Sequence, residues 1–358
     1  MNKKFWAGKK VFITGHTGFK GSWLTTWLKL LGATVSGYSL APGTKPSLFE
    51  VTDVAHGITS INGNILDSAL LLETIKQQQP DIVFHLAAQP LVHYSYLNPI
   101  ETYTVNVIGT ANLLEAIRSI KSVRAVIVVT SDKCYENQEW VWGYRETDSM
   151  GGFDPYSSSK GCAELVASSY RRSYFNTSRY DQHRVALATV RAGNVIGGGD
   201  WTEARLIPDL VRSFIKKETG IIRNPQAHRP WQYILDLLQG YLMLTEKLWH
   251  HGPEYADAWN FGPNEDNVKP VAWIADKLVN LWGENVKWAM GESNNLHEAN
   301  SLKLDCNKSR TLLGWVPKLS IDDALAETLA WYKAHHHKKN MLDFTLHQIR
   351  EYETKEAI

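Results

Sequence analysis

Seven residues near the start, Gly15-His16-Thr17-Gly18-Phe19-Lys20-Gly21, limit what this chain can become more than any other stretch. They follow a short β-branched and aromatic run, Lys10-Val11-Phe12-Ile13-Thr14, and open a segment, Phe19 to Leu31, whose apolar residues recur at helical spacing. Glycines three residues apart at a strand-to-helix turn permit a tight reversal, a close backbone approach to a diphosphate and packing of the helix on the sheet. The helix N-terminus favours the anion. The turn therefore marks a dinucleotide site, with Gly15, Thr17, Gly18, Phe19 and Gly21 as its residues.

Further short apolar runs stand at Thr34 to Tyr38, Ile58 to Ile61, Ile82 to Leu86, Val123 to Val129 and Val185 to Val190. They alternate with helix-like segments such as Ser68 to Gln78 and Thr102 to Ser119, which predicts an α/β fold built on a Rossmann-type doubly wound parallel sheet. After Arg191 the character changes. Gly197-Gly198-Gly199-Asp200-Trp201 reads as a loop and Asn224 to Pro230 as a proline-bracketed turn, with helical patterns between and beyond. With 358 residues, two units are expected. Residues 1–193 and 232–262 form the dinucleotide-binding domain; residues 194–231 and 263–358 form a smaller, discontinuous C-terminal substrate-binding domain.

A formal net charge of +1 gives no general attraction to nucleic acid or to an anionic membrane. No apolar run approaches the length of a membrane span, and the first ten residues carry no signal-peptide apolar region, so a cytoplasmic protein is expected. Cys134, Cys162 and Cys306 show no paired spacing, which supports neither a disulfide framework nor a zinc site. Cys134 reads as a small buried filler. His335-His336-His337 point three ways on a helix and read as a solvated face; no metal site is expected.

Chemistry concentrates in Thr130-Ser131-Asp132-Lys133-Cys134-Tyr135 and Tyr156-Ser157-Ser158-Ser159-Lys160. A tyrosine and a lysine four apart share one helix face, where the ammonium lowers the phenol's pKa until it serves as a base near neutral pH. That pair is suited to alcohol oxidation. Asp132 and Lys133 add proton-transfer groups that simple hydride transfer does not need, and they point to an elimination. At the end of the second strand, Gly37-Tyr38-Ser39-Leu40 offers no carboxylate for a ribose, so this position leaves NAD and NADP both open.

The GxxGxxG turn, the strand end His85-Leu86-Ala87-Ala88-Gln89 and the YxxxK pair make the chain resemble the extended short-chain dehydrogenase/reductase family. Within it, Ser131-Asp132-Lys133, Arg191 through Trp201 and Arg223 through Gln232 make it most similar to the nucleotide-sugar 4,6-dehydratases that act on CDP-glucose. The resemblance covers nearly the whole chain. It implies tightly held NAD, reduced and reoxidised within one turnover, with Leu86, Ala87 and Gln89 lining it, Asn106 ordering the catalytic loop, and Lys160 on the nicotinamide ribose. Asn64-Ile65 replaces the usual Asp-Ile pair at adenine. Lys133 stands where dehydratases of dTDP-glucose carry glutamate.

On this reading Tyr156 removes the 4-hydroxyl proton, Ser131 hydrogen-bonds the same oxygen, and Asp132, kept protonated in a dry site, donates to the departing 6-hydroxyl. Lys133 is the C5 base if neutral or an enolate stabiliser if cationic; the sequence leaves both open. Arg205 and Arg229 are the expected diphosphate partners. The resemblance adds Asn194 at the sugar-proximal phosphate, with Arg223, Asn260 and Glu298 facing the nucleotide. A 4-epimerase shares everything except the need for Asp132 and Lys133, and a non-catalytic NAD(P) sensor would not need the tyrosine-lysine pair. Helices at Ile100 to Ser119 and Tyr156 to Arg172 are expected to pair in a homodimer or a dimer of dimers.

Overall fold

Among the described residues, β-branched runs bounded by glycine and short turns become twelve strands: β1 Lys10–Thr14, β2 Thr34–Ser39, β3 Thr59–Asn62, β4 Ile82–His85, β5 Ala125–Val129, β6 Ala186–Ala192, β7 Asn194–Ile196, β8 Gly220–Ile222, β9 His228–Tyr233, β10 Ala258–Phe261, β11 Val268–Pro270 and β12 Trp288–Met290. The structure, a computed structural model, describes residues 1–292 and 301–356.

Seven of these strands form one parallel sheet in the order β10-β6-β5-β4-β1-β2-β3. The order reverses direction between β1 and β4, where Val11 pairs with Ile82 and Thr14 with His85. In open α/β sheets ligands bind at such a switch, beyond the carboxyl ends of the strands. The seam itself is closed by hydrogen bonds: Thr14 Oγ1 lies 2.7 Å from His85 Nδ1, and His85 Nε2 lies 3.1 Å from Thr110 Oγ1. Burial drives His85 down to about 3, so the ring bridges these hydroxyls as a neutral group.

Strands buried on both faces need helices on both faces. One apolar cluster joins Trp23, Trp27, Phe84, Ile127 and Ala188 to Tyr241, Phe261, Trp315 and Trp331. A second, with Leu71, Ile75, Leu113, Ile117 and Leu187, fills the opposite face. Beyond the sheet, β7, β9 and β11 make a three-stranded sheet and β8 pairs with β12. The C-terminal helices Ile321–His336 and Met341–Thr354 belong to the first cluster through Trp331, Tyr332, Ile349 and Tyr352, and Trp27 packs edge-on against Tyr352. His335 departs from the solvated face expected of it: it is half-buried and stacks on Trp331 at 5.7 Å.

One predicted helix is interrupted. Thr102 to Ser119 reads as a single helix, whereas the chain makes a helical turn at Pro99–Tyr103, a π-helical stretch at Thr104–Ile108 and a helix at Gly109–Arg118. The cause lies at Asn106, whose side chain turns inward to partners outside its own helix. Its Oδ1 accepts from Gln89 N at 2.8 Å, and its Nδ2 donates to Gln89 O at 3.1 Å and to Ser159 Oγ at 2.8 Å. Such π-turns often occur where a helix is bent to place a functional side chain.

Candidate active site

Each glycine of the first turn answers a different constraint. Gly15 has φ +78°, and a Cβ there would stand 2.6 Å from Ala87 N; one on Gly21 would stand 2.1 Å from Gly15 O. Both are fixed by the protein's own packing. Gly18 is different, since the nearest atom to an added Cβ is Gly15 O at 3.5 Å, and it faces open space at the N-terminus of the helix Phe19–Leu30. No side chain caps that terminus, which leaves its first N–H groups available to an anion. The turn thus has uncapped N–H groups and room beside Gly18, as an anion-binding helix start requires.

Around it, Thr17 Oγ1 is bound to Ser39 Oγ at 2.8 Å and Leu40 O at 2.9 Å, so hydroxyls occupy the end of β2 where the sequence lacks a carboxylate. Asn64 is exposed, its Oδ1 accepting from Leu66 N at 3.0 Å, which turns the amide nitrogen outward. Ile65 beside it is buried in the second apolar cluster. Leu86 and Ala87 follow β4 at the switch point, and their backbone meets Gly15. Gln89 is spent locally: its Oε1 accepts from Leu91 N at 2.6 Å, and its Nε2 donates to Leu91 O and Thr102 Oγ1. Its side chain shapes the 89–91 turn.

Beyond β5 the chain turns through Ser131, Asp132 and Lys133, and the helix Pro155–Ser173 starts opposite, capped by Asp154. Ser131, Asp132, Tyr156 and Lys160 are all buried. Ser131 Oγ donates to Asp132 Oδ1 at 2.9 Å, and the same hydroxyl is near enough to the Tyr156 phenol to influence it. Lys160 Nζ lies 6.0 Å from the Tyr156 ring centroid and 3.5 Å from Val129 O. Gly193 supplies the wall behind Asp132: a Cβ there would sit 2.9 Å from Asp132 Oδ2.

Electrostatics correct one expectation. The phenol of Tyr156 is not held down by Lys160. Burial pushes it up to about 12, opposed by the Ser131 hydrogen bond and by the Arg205 guanidinium, while Asp132 and Asp154 push it higher. Lys160 is itself driven down to about 8 by burial and by its neighbour Lys20. Asp132 is raised by burial, with Lys133, Ser131 and Lys20 drawing it back, so its acid form persists above the usual carboxylate range.

The arginines and amides divide. Arg205 donates to buried Asp200 at 2.8 Å, and its charge is felt at the Tyr156 phenol. Arg229 lies on β9, half-buried, with Nη1 on His228 O at 2.9 Å. Asn194 opens β7, half-buried, opposite Trp231. Arg223 is exposed; burial raises the Asp209 carboxyl, and Arg223 with Arg212 partly offsets that rise. Asn260 is a correction. It is fully buried, its Oδ1 accepts from Tyr135 at 2.8 Å, its Nδ2 donates to Tyr144 O and Asp305 O, and its N–H donates to Glu146. With every polar atom used, it ties β10 to the 135–146 loop and has nothing to offer a nucleotide. Glu298 lies outside the described residues.

Two groups escaped the sequence reading. Lys20, half-buried in the first helical turn, is driven down to about 8 by burial and Arg205 and is held up by Asp132 and Asp200. A cation at a helix N-terminus opposes the macrodipole, and that mismatch was a usable signal. Asp200 carried none, because its partner is five residues on in a loop. Cys134 is buried and its thiol is pushed far up by burial, which suits a filler.

The family model described as GDP-mannose 4,6 dehydratase matches residues 12–328. The chain is 51% identical over 352 residues to the CDP-glucose 4,6-dehydratase of Salmonella typhimurium, covering 98% of each. It is 26% identical over 287 residues to the dTDP-D-glucose 4,6-dehydratase of Mus musculus, covering 77% of this chain and 74% of that protein. Among solved structures, dTDP-glucose 4,6-dehydratase from Bacillus anthracis in complex with NAD superposes with a TM-score of 0.75 at 21% identity, covering 94% and 100%. UDP-glucose 4-epimerase from Thermotoga maritima superposes at 0.79 and 22% identity, covering 91% and 99%. These two likenesses show the fold.

Proposed function

The chain belongs to the GDP-mannose 4,6 dehydratase family, and from that membership we infer that it is an NAD-dependent CDP-glucose 4,6-dehydratase, a hydro-lyase. The product is CDP-4-keto-6-deoxyglucose, a starting point for deoxysugars. The observation that carries the reading is a buried acid, Asp132, bonded to the Ser131 hydroxyl in the same pocket of buried groups as Tyr156 and Lys160, joined to 51% identity along almost the whole chain.

The residue roles follow from what each group can do. Tyr156 takes the proton of the hexose 4-hydroxyl, with Ser131 bonded to the same oxygen. NAD bound there would supply the hydride acceptor for C4 and, once reduced, the hydride donor for C6. The ketone at C4 acidifies the C5 hydrogen, so oxidation must come first. Lys133 serves the C5 step, and Asp132, protonated because it is buried, donates to the leaving 6-hydroxyl. Lys160 holds the nicotinamide ribose; Gly15, Thr17, Gly18, Phe19 and Gly21 hold the diphosphate, Asn64 and Ile65 the adenine, and Leu86, Ala87 and the loop ordered by Asn106 the remainder. Arg205, Arg229, Asn194 and Arg223 are assigned to the CDP moiety.

The same reading divides the chain at 1–193 with 232–262 and 194–231 with 263–358, and places it in the cytoplasm. Among the described residues no helix is long and apolar enough to cross a membrane. For a homodimer or dimer of dimers, support comes from Ile100, Ile108 and Leu165, which are 78%, 51% and 60% exposed in the segments expected to pair.

The test is turnover with NAD on CDP-, dTDP-, UDP- and GDP-glucose side by side, read as the alkali-induced absorbance of a keto sugar. A signal with CDP-glucose ahead of the others supports the reading. CDP-galactose as the product would replace it with epimerisation.

A further inference from the structure

The helix Pro155–Ser173 carries three buried polar side chains at helical spacing on one face: Tyr156, Lys160 and Glu164. The third has no part in the chemistry assigned above. Glu164 Oε2 accepts from Arg191 Nη2 at 2.8 Å and from Thr189 Oγ1 at 2.8 Å, and its Oε1 accepts from Thr130 Oγ1 at 2.5 Å. Thr130 is the residue just before Ser131.

Arg191, on β6, grips the other end of the same turn. Its Nη1 donates to the Tyr135 hydroxyl at 2.7 Å and to Glu146 O at 3.0 Å, and its guanidinium lies 4.9 Å from the Tyr135 ring centroid. The Tyr135 hydroxyl in turn donates to Asn260 Oδ1 at 2.8 Å. Thr130 and Tyr135 therefore bracket Ser131-Asp132-Lys133-Cys134, and one ion pair reaches both. The bracketed stretch is a single turn, Asp132–Cys134, too short to gain stability from helical cooperativity, so its place depends on what holds its ends. The side chains of Arg191 and Glu164 are each 4% exposed, and hydrogen bonds kept from water in this way are stronger than exposed ones. A buried ion pair adds little stability over apolar side chains of like volume; what distinguishes this one is the geometry it imposes.

We propose that Glu164 and Arg191 are positioning residues for the reaction: through Thr130 and Tyr135 they clamp both ends of the turn that carries Ser131, Asp132 and Lys133, and fix it against the helix that carries Tyr156. This rests on the dehydratase reading above. The clamp sets the distance between the group that removes the 4-hydroxyl proton and the groups that expel the 6-hydroxyl.

The two anchors can be cut one at a time with the ion pair left in place. Thr130→Val removes one hydroxyl at nearly constant shape, Thr130→Ser keeps it, and Tyr135→Phe frees the far end. At saturating CDP-glucose and NAD, Thr130→Val is expected to lower kcat about tenfold with KM nearly unchanged. NADH absorbance should also build up during turnover, because the residues assigned to water loss sit on the loosened turn while Tyr156 stays on its helix. Thr130→Ser should restore both kcat and the NADH trace. Tyr135→Phe should show the same build-up, and it decides the matter if Thr130→Val does not fold. A purely structural loss removes folded enzyme and lowers NADH and keto sugar in equal proportion; that result overturns the proposal, as does parental kcat in both Thr130→Val and Tyr135→Phe. Failure of the dehydratase reading is distinct, because the unaltered protein would then make no keto sugar.

Discussion

Ser131 and Asp132 are adjacent in sequence and bonded side chain to side chain, the hydroxyl donating to the carboxyl at 2.9 Å, beside the buried Tyr156 phenol that it influences. One serine therefore stands by both the group assigned to take a proton and the group assigned to give one. Asp132→Asn keeps the acceptor but removes the proton. Water loss should fall by about 100-fold or more while C4 oxidation survives, visible as NADH absorbance that builds and is not consumed. Because burial raises Asp132, its acid form is lost only as pH climbs through that raised value, so elimination should decline on the alkaline side and Asp132→Asn should lack that decline. Unimpaired product formation by Asp132→Asn would count against the acid role.

Lys133 is half-buried beside that carboxyl. Lys133→Ala should stop water loss and leave transient NADH detectable in stopped flow. Lys133→Arg keeps a cation but no usable base: near-normal turnover points to enolate stabilisation, and loss of turnover to proton removal at C5.

Gly18 and Gly15 should separate folding from cofactor binding. Gly18→Ala has room within the protein, so it should melt like the parent without added NAD, yet bind NAD about tenfold more weakly. Gly15→Ala meets Ala87 backbone at 2.6 Å and a positive φ, and should lose stability outright. Equal thermal shifts on adding NAD to Gly18→Ala and to the parent would contradict the assignment.

Behind the site, Arg191 and Glu164 form an ion pair at 2.8 Å with both side chains 4% exposed, and Glu164 also accepts from Thr130 and Thr189. Arg191→Met leaves a buried carboxylate unpaired and should cost about 3–5 kcal/mol, read by urea denaturation. Adding Glu164→Gln should recover part of it.

Asp236 sets a pH dependence of stability. Its buried carboxyl accepts from Lys318 N and the Tyr352 hydroxyl and is pushed up to about 6. The folded state then holds a proton that the unfolded chain releases near pH ~4, so this contribution is present below about pH 4 and is lost as pH rises through about 6. Two units correspond to about 3 kcal/mol. Asp236→Asn should flatten the fall in Tm between about pH 4 and about pH 6.

Fold class and the base pair of the site were legible because their signals are local. A glycine turn must fit between its own strand and helix, and Tyr156 and Lys160 share a face by helical period alone. The strand runs at 82–86 and 185–190 likewise announce themselves by β-branching. Tertiary structure decided the rest. Asn260 looked like a ligand contact until β10 brought it under Tyr135 and Tyr144, and Asn106 broke a helix because Gln89 and Ser159 arrived beside it from elsewhere. The charge state of Tyr156 depends on burial, Ser131 and Arg205, none of which its helix supplies. Hydrogen-bond saturation and desolvation are sums over neighbours far apart in the chain, and only the folded packing sets which neighbours those are.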